Sequence, residues 1–216
     1  LKTRVIPTIL FKEVGLVKGL KFDANRGVGS ALQSIKLYNM RDVDELIFMD
    51  IVATSKSSSP NFKLIDELSN ECFMPLTVGG GIKRLEDIEK LLSVGADKVA
   101  INTAAVKNPD LIKQASKIFG SQCIVVAIDT KYSNKVNQQV VINCGTKLTG
   151  LNPVEWAVRA ADLGAGEILL TSVDRDGTMK GYDLDLINSV SSAVNVPVIA
   201  SGGAGSYGDM VSAILD

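Results

Sequence analysis

The sequence predicts an α/β fold in which parallel strands alternate with helices. Seven short apolar runs recur along the chain, and a longer segment with helical periodicity follows each of them. The runs are apolar at consecutive positions, which is typical of strands covered on both faces. In chain order they are RVIPTI from Arg4, ELIFMDI from Glu45, PLTVGGG from Pro75, KVAINT from Lys98, CIVVAID from Cys123, EILLTSV from Glu167 and PVIASGG from Pro197. Amphipathic segments such as 85–94 and 154–163 supply the helices, so the pattern predicts the (β/α)8 architecture of a TIM barrel.

The barrel is expected to consist of two similar halves. Shifting the sequence by 122 residues places Glu45 on Glu167, Pro75 on Pro197 and the glycine pair 80–81 on the pair 202–203. We therefore expect one barrel domain over residues 1–216, with half-barrel repeats of about 1–120 and 121–216. The same shift sends segment 95–103 to position 217 onward, so the eighth β/α unit is expected to be missing from this chain.

The amino-acid composition limits the binding partners and the reaction types that are expected. With 216 residues, 46% of them hydrophobic, the chain can bury one sizeable core. A net charge of −1 gives no overall field for nucleic acid or an anionic membrane, and neither is an expected partner. Without histidine, proton transfer must use carboxylates, lysines or water. No metal-ligand cluster and no dinucleotide-binding fingerprint is visible, so neither metal nor cofactor is expected. Three unclustered cysteines and the lack of a membrane-length apolar run favour a cytoplasmic location.

Reactive groups of such a barrel lie at the carboxyl ends of its strands. These ends carry two glycine turns, residues 79–81 and residues 202–203, whose backbone amides could each cradle a phosphate. A substrate with a phosphate at each end would suit the pair, although both turns could also be tight connections without a ligand. Further polar candidates for substrate binding at these ends are Asn102, Thr103, Thr171 and Ser201.

Three aspartates are candidates for chemistry. Asp129 ends an apolar strand, where a carboxylate is costly unless it is paired or functional, and it is the best candidate acid–base group. Its alternative is to cap the following turn. Asp176 lies in the polar loop after the sixth strand and is the second catalytic candidate, with turn formation as the rival interpretation. Asp50 ends the second strand and could orient substrate hydroxyls or hold Lys18, which is placed in the loop after the first strand.

The amino-terminal strand ends carry four charges, two of each sign. Because unpaired charges near a barrel interior would be costly, they are expected to pair. They could form a plug that closes the barrel or a gate for a small molecule, and composition does not choose between the two. The four residues are Arg4, Glu45, Lys98 and Glu167.

Several long strings, among them DELIFMDI, GADKVAINTAAVKNP, GAGEILLTSVDRDGT and PVIASGGAG, resemble the cyclase (synthase) subunit of imidazole glycerol phosphate synthase. The likeness covers essentially the whole chain. It implies a barrel of histidine biosynthesis whose amino-terminal face binds a separate glutaminase subunit. Ammonia from that glutamine amidotransferase partner would pass through the barrel and react with a ribulosyl aminoimidazole bisphosphate.

The resemblance also assigns residues. Asp129 matches one of the two catalytic aspartates of the family. The other matched groups are a first phosphate site at Gly81, Asn102 and Thr103, a second at Gly177 and Gly203, the ammonia gate at Arg4, Glu45, Lys98 and Glu167, and a glutaminase contact at Asp97.

One departure from the family bears directly on catalysis. The second catalytic aspartate belongs at the end of the first strand, and Leu10 stands there. Leucine cannot transfer a proton, so the sequence leaves open whether cyclase activity is retained, and the cyclase stays the first expectation from the resemblance. The pattern is similar to a paralogous branch that passes ammonia to a surface-polysaccharide sugar. A phosphosugar isomerase and a non-catalytic scaffold that activates a glutaminase remain further alternatives.

Overall fold

The computed structural model describes residues 3–13, 15–134 and 137–215. The chain divides into two compact units. The first comprises Leu1–Lys18 and Asn25–Ile101, and the second comprises Gly19–Ala24 and Asn102–Asp216.

Residues 8–101 alternate strands with helices after an initial hairpin. The elements in order are β1 (Thr8–Lys12), β2 (Gly15–Leu20), β3 (Asp23–Gly29), α1 (Ala31–Met40), β4 (Leu46–Asp50), α2 (Phe62–Ser69), β5 (Leu76–Gly79), α3 (Leu85–Ser93) and β6 (Lys98–Ile101). In the first unit β1, β4, β5 and β6 pair in parallel in this order, and β2 pairs with β1 antiparallel.

The second unit follows the same plan. Its elements are α4 (Thr103–Lys107), α5 (Asp110–Phe119), a short 3-10 helix (Ser121–Cys123), β7 (Ile124–Tyr132), β8 (Gln138–Ile142), β9 (Lys147–Leu148), α6 (Pro153–Asp162), β10 (Glu167–Ser172), α7 (Leu184–Ser191), β11 (Val198–Ser201) and α8 (Tyr207–Leu215). Here β7 pairs in parallel with β10, β10 pairs in parallel with β11, and β8 pairs with β7 antiparallel. The α/β fold predicted from the apolar runs is confirmed.

The strands are buried in the way that their continuous apolar sequence requires. Ile124, Val125, Val126 and Ile128 of β7 have no exposed surface, since side chains on both faces of this strand are covered. Helices α3 and α6 begin and end within two residues of the predicted segments 85–94 and 154–163. In the part of the chain that the structure describes, no helix has the length and apolarity that a membrane crossing requires.

Three strand positions differ from the prediction. The first strand begins at Thr8 rather than near Arg4, because Pro7 has no amide hydrogen to donate, although its carbonyl accepts from the amide of Ile47. Lys18 lies on β2 and not in a loop. Asp129 does not end its strand, because β7 continues to Tyr132 as one arm of the antiparallel hairpin with β8.

The strand registers support an internal repeat. In the first unit Leu10 lies beside Met49, and Met49 lies beside Gly79. In the second unit Asp129 lies beside Thr171, and Thr171 lies beside Ser201. A shift of 122 residues carries Met49 to Thr171 and Gly79 to Ser201. The shift itself carries Leu10 to Tyr132, but by strand register Leu10 occupies in its unit the place that Asp129 occupies in the other, so one row is apolar and the other is polar.

Candidate functional site

The polar row of the second unit centres on the carboxyl group of Asp129. The side-chain amide of Asn102 donates a hydrogen bond to its Oδ2 at 2.7 Å. The pKa of Asp129 is raised to about 7, chiefly by burial and also by the negative charge of Asp176, while hydrogen bonds from Asn102 and Thr171 act in the opposite direction. Asp129 is therefore near half-ionisation at neutral pH, which is the condition for a group that both accepts and donates protons.

Asp176 is the second carboxyl group of this site. The backbone amide of Phe22 donates to its Oδ2 at 3.4 Å, and the amide of Lys21 donates to its backbone carbonyl at 2.9 Å. Burial raises the pKa of Asp176, and the hydrogen bond from Phe22 lowers it to a smaller extent. The short segment 19–24 thus holds Asp176 where its charge acts on Asp129.

The predicted polar candidates beside Asp129 have different surroundings. Asn102 has a buried Oδ1 with no hydrogen-bond partner among the described residues, so this oxygen can accept from a bound molecule. The hydroxyl of Thr103 instead accepts from the amide of Asn143 at 3.0 Å, in the turn after β8. Ser201 is half-buried at the end of β11, next to Thr171 in the sheet.

Both glycine turns are packed closely against neighbouring backbone. In the second turn a Cβ on Gly203, whose φ is +110°, would lie 2.1 Å from the carbonyl oxygen of Gly181. A Cβ on Gly177, with φ +70°, would lie 2.2 Å from the carbonyl oxygen of Gly19. In the first turn a Cβ on Gly81, whose φ is +73°, would lie 3.0 Å from the carbonyl oxygen of Ser58. The amide of Gly81 donates to Thr54 Oγ1 at 3.4 Å. These glycines are required for close packing whether or not a phosphate binds.

Each glycine turn is followed by a helix with an aspartate in its first turn, and this aspartate accepts hydrogen bonds from the backbone amides just before the helix. Asp87 accepts from the amides of Lys83 at 3.0 Å and Arg84 at 3.3 Å. Asp209 accepts from the amides of Gly205 at 2.9 Å and Ser206 at 2.8 Å, and these bonds lower the pKa of Asp209. The two aspartates are again 122 residues apart. Because these amides are already bonded, an anion at either turn would have to be bound by the glycine amides before them, and at Gly81 it would replace the hydrogen bond to Thr54.

Asp50 and Lys18 do not form the predicted pair. Asp50 Oδ1 accepts from the amides of Val52 and Ala53, each at 3.0 Å, so this carboxylate closes the turn after β4. Lys18 is exposed on β2. No ion pair joins the two within the residues that the structure describes, and Asp50 is instead bonded to its own turn.

The four charges predicted at the amino-terminal strand ends are all described. Glu45 is 5% exposed and forms ion pairs with Arg4 and with Lys98, whose Nζ lies 3.1 Å from Oε1. Glu167 is 8% exposed at the start of β10 in the second unit. Asp97, the predicted glutaminase contact, accepts from the amide of Leu76 at 2.8 Å and so secures the start of β5.

We expect Gly203→Ala to destabilise the protein by roughly 2–4 kcal/mol, because the added methyl group meets the carbonyl of Gly181 and the backbone has a positive φ. Gly150→Ala is the matched control: its φ is +79° but nothing lies within 4 Å, so it should cost only about 1 kcal/mol. Urea unfolding of both variants measures the difference. Equal losses would show that close packing contributes nothing at Gly203.

Sequence reasoning did not single out four residues whose side chains bond near the candidate residues of their own units: Thr54 and Asp87 in the first unit, and Asp183 and Asp209 in the second. The signal was available, since the shift of 122 residues relates Asp87 to Asp209. The contacts of Asp183, which is 6% exposed, join residues far apart in the chain and have no local signature.

The alternating order of strands and helices in both units defines the class, an α/β fold of the TIM-barrel type. The family described as histidine biosynthesis protein matches residues 4–215, and the chain belongs to this family. It is therefore an enzyme of the histidine-biosynthesis type, a group that covers both isomerase-type and cyclase-type barrels.

Proposed function

We propose that the protein is the synthase subunit of an ammonia-dependent enzyme of the imidazole glycerol phosphate synthase type. The observation that carries the proposal is Asp129, a carboxyl group with a pKa of about 7 at the carboxyl end of a parallel ladder. Closing an imidazole ring requires protons to be added and removed in turn. A carboxyl group poised near neutrality can do both.

The surrounding groups take roles that follow from their contacts. Asn102 orients the carboxylate through its 2.7 Å hydrogen bond, and its Oδ1 can accept from a donor on the substrate. Asp176 keeps the pKa of Asp129 high through its negative charge. The glycine turns at Gly81 and Gly203 would bind the two phosphates through their backbone amides.

Ammonia would come from a glutaminase partner. Glu45, with its two cations, lies just before β4, at the amino-terminal ends of the parallel strands of the first unit. A polar cluster there suits a gate for a small polar molecule. Asp97, at the same end of β5, is a candidate contact for the partner.

A specific observation favours a second candidate, in which ammonia is delivered to another acceptor such as a sugar of a surface polysaccharide. Leu10, Met49 and Gly79 form an apolar row where the second unit has Asp129, Thr171 and Ser201. A reaction that needs acid–base groups in both units would be impaired. A reaction that needs only one carboxyl group would not be.

The test supplies ammonium chloride and the ribulosyl aminoimidazole bisphosphate to the purified protein and follows product formation by absorbance. Turnover that is lost in Asp129→Asn supports the cyclase-type proposal. Absence of turnover in the native protein rejects it.

The variant Leu10→Asp then separates the two candidates. A gain in turnover of about 10²-fold or more shows that only the missing carboxyl group limited cyclase chemistry. No gain favours another acceptor. Leu10→Asn is the matched control, since it adds polarity without an acid–base group.

A further inference from the structure

A cluster of buried polar side chains lies next to the site and takes no part in the proposed chemistry. Thr130 has no exposed surface, Ser172 is 2% exposed and Asp183 is 6% exposed. Thr130 and Ser172 each follow a residue of the polar row, Asp129 and Thr171. Because neighbouring residues of a strand face opposite sides, the cluster lies on the other face of the same two strands.

The carboxylate of Asp183 connects this cluster. Ser172 Oγ and Gln138 Nε2 both donate to Asp183 Oδ2 at 3.2 Å. Gln138 Nε2 also lies 3.0 Å from Thr130 Oγ1, and Thr130 Oγ1 donates to the backbone carbonyl of Thr171 at 3.3 Å. One carboxylate therefore joins β8 and β10 and, through Gln138, reaches β7.

The internal repeat supplies a comparison. Asp183 is the residue before α7, and a shift of 122 residues relates it to Asn61, the residue before α2. The side chain of Asn61 caps its helix by accepting from the amide of Leu64 at 3.1 Å. The side chain of Asp183 makes no such bond to α7. At equivalent positions, the side chain of Asn61 caps its helix, whereas the side chain of Asp183 bonds to residues of the strands.

The segment between Ser172 and Asp183 contains Asp176 and Gly177. At its start the amide of Val173 donates to the carbonyl of Thr130 at 2.9 Å. At its end Asp183 returns to Ser172 and to Gln138. Both ends of the segment are thereby tied to the strands that carry Asp129 and Thr171.

We propose that Asp183 is a positioning residue, which gives up capping α7 in order to hold segment 173–182 against the ends of β7 and β10. The groups that face Asp129 are Asn102, Thr171 and, from this segment, Asp176. Loss of the Asp183 contacts should let water reach Asp129 and move Asp176 away. The inference deepens the proposed role of Asp129 as an acid–base group, but its test needs no substrate.

The experiment follows the carboxyl ¹³C resonance of Asp129 against pH, identified by its absence in Asp129→Asn. In Asp183→Ala we expect the pKa of Asp129 to fall from about 7 to about 6 or lower, because desolvation is its largest cause. Amide hydrogen exchange in segment 173–182 should become about tenfold faster or more. Asp183→Asn, which keeps one acceptor oxygen, should restore much of both.

Asn61→Ala is the matched control, because it removes a side chain from the equivalent position in the other unit. It should lower the stability of the protein without changing the pKa of Asp129. If Asp183→Ala does not fold, Ser172→Ala removes one of the two donors to Asp183 and should lower the pKa of Asp129 by a smaller amount. An unchanged pKa of Asp129 in the folded Asp183 variant, or in Ser172→Ala when that variant is needed, would overturn the proposal. Because no substrate is present, this outcome is independent of which reaction the enzyme performs.

Discussion

Asp129→Asn should lower turnover by orders of magnitude and at the same time make the protein more stable at pH 8. Loss of an acid–base group is expected to lower the rate by about 10²–10⁴-fold. The gain in stability follows from the raised pKa of Asp129, about 7 against an ordinary value of 3.8. Between these two values the folded protein keeps a proton that the unfolded chain has lost, so stability falls as the pH rises through this window.

Above pH 7 the ionised, largely desolvated carboxylate costs the folded state roughly 2–4 kcal/mol, and asparagine does not bear this cost. Urea unfolding at pH 4 and pH 8 measures it. The variant should exceed the native protein by roughly 2 kcal/mol at pH 8 and by almost nothing at pH 4. Asp66→Asn, the same change at an exposed position on α2, should leave stability unaltered at both pH values. A variant that is less stable at pH 8 would contradict a raised pKa.

The sequence could predict where the carboxyl group of Asp129 lies, but it could not predict the raised pKa on which the expected gain in stability depends. An aspartate in an otherwise apolar run signals that its burial is being tolerated for a reason, and this pointed to Asp129. Its partners were also within reach, because Asn102 and Thr171 stand at corresponding ends of neighbouring runs. The pKa of Asp129 could not be predicted from the sequence, since it depends on how deeply the carboxyl group is desolvated and on the approach of Asp176 from a loop.

Fold prediction succeeded where the pattern is set by short-range rules. Continuous apolar runs predicted the parallel strands that the structure contains. It failed at the start of β1, where the missing amide hydrogen of Pro7 outweighs the apolar run, and along β7, where the hairpin extends the strand beyond Asp129. Hairpin pairing depends on a partner strand that the apolar run itself does not reveal.

The contacts that side chains make at equivalent positions of the two units were the least predictable feature. Asn61 and Asp183 both precede a helix, and local rules predict capping for both. Only tertiary contacts with Ser172 and Gln138 explain why Asp183 behaves differently. Likewise, the carboxylate of Asp50 accepts hydrogen bonds from the backbone amides of its own turn, and the predicted pair with Lys18 does not form.

The charged cluster at the amino-terminal strand ends allows structure and function to be separated by substitution. Glu45→Met should destabilise the protein by about 3–5 kcal/mol, because Lys98, with a side chain only 14% exposed, would lose its buried carboxylate. The double variant Glu45→Met/Lys98→Met should recover most of this loss, since an apolar pair of similar volume replaces the ion pair. Urea unfolding of the two single variants and the double variant gives the coupling energy.

The exposed pair of Lys63 and Glu67 on α2, with 3.9 Å between Nζ and Oε1, is the matched control and should show a coupling of about 0.5 kcal/mol or less. A coupling equally small at Glu45 and Lys98 would mean that their charges are not desolvated. The stable double variant then distinguishes a gate from a plug. If the cluster admits ammonia from a glutaminase, glutamine-dependent turnover should change while turnover with added ammonium chloride does not. A plug predicts no difference between the two nitrogen sources.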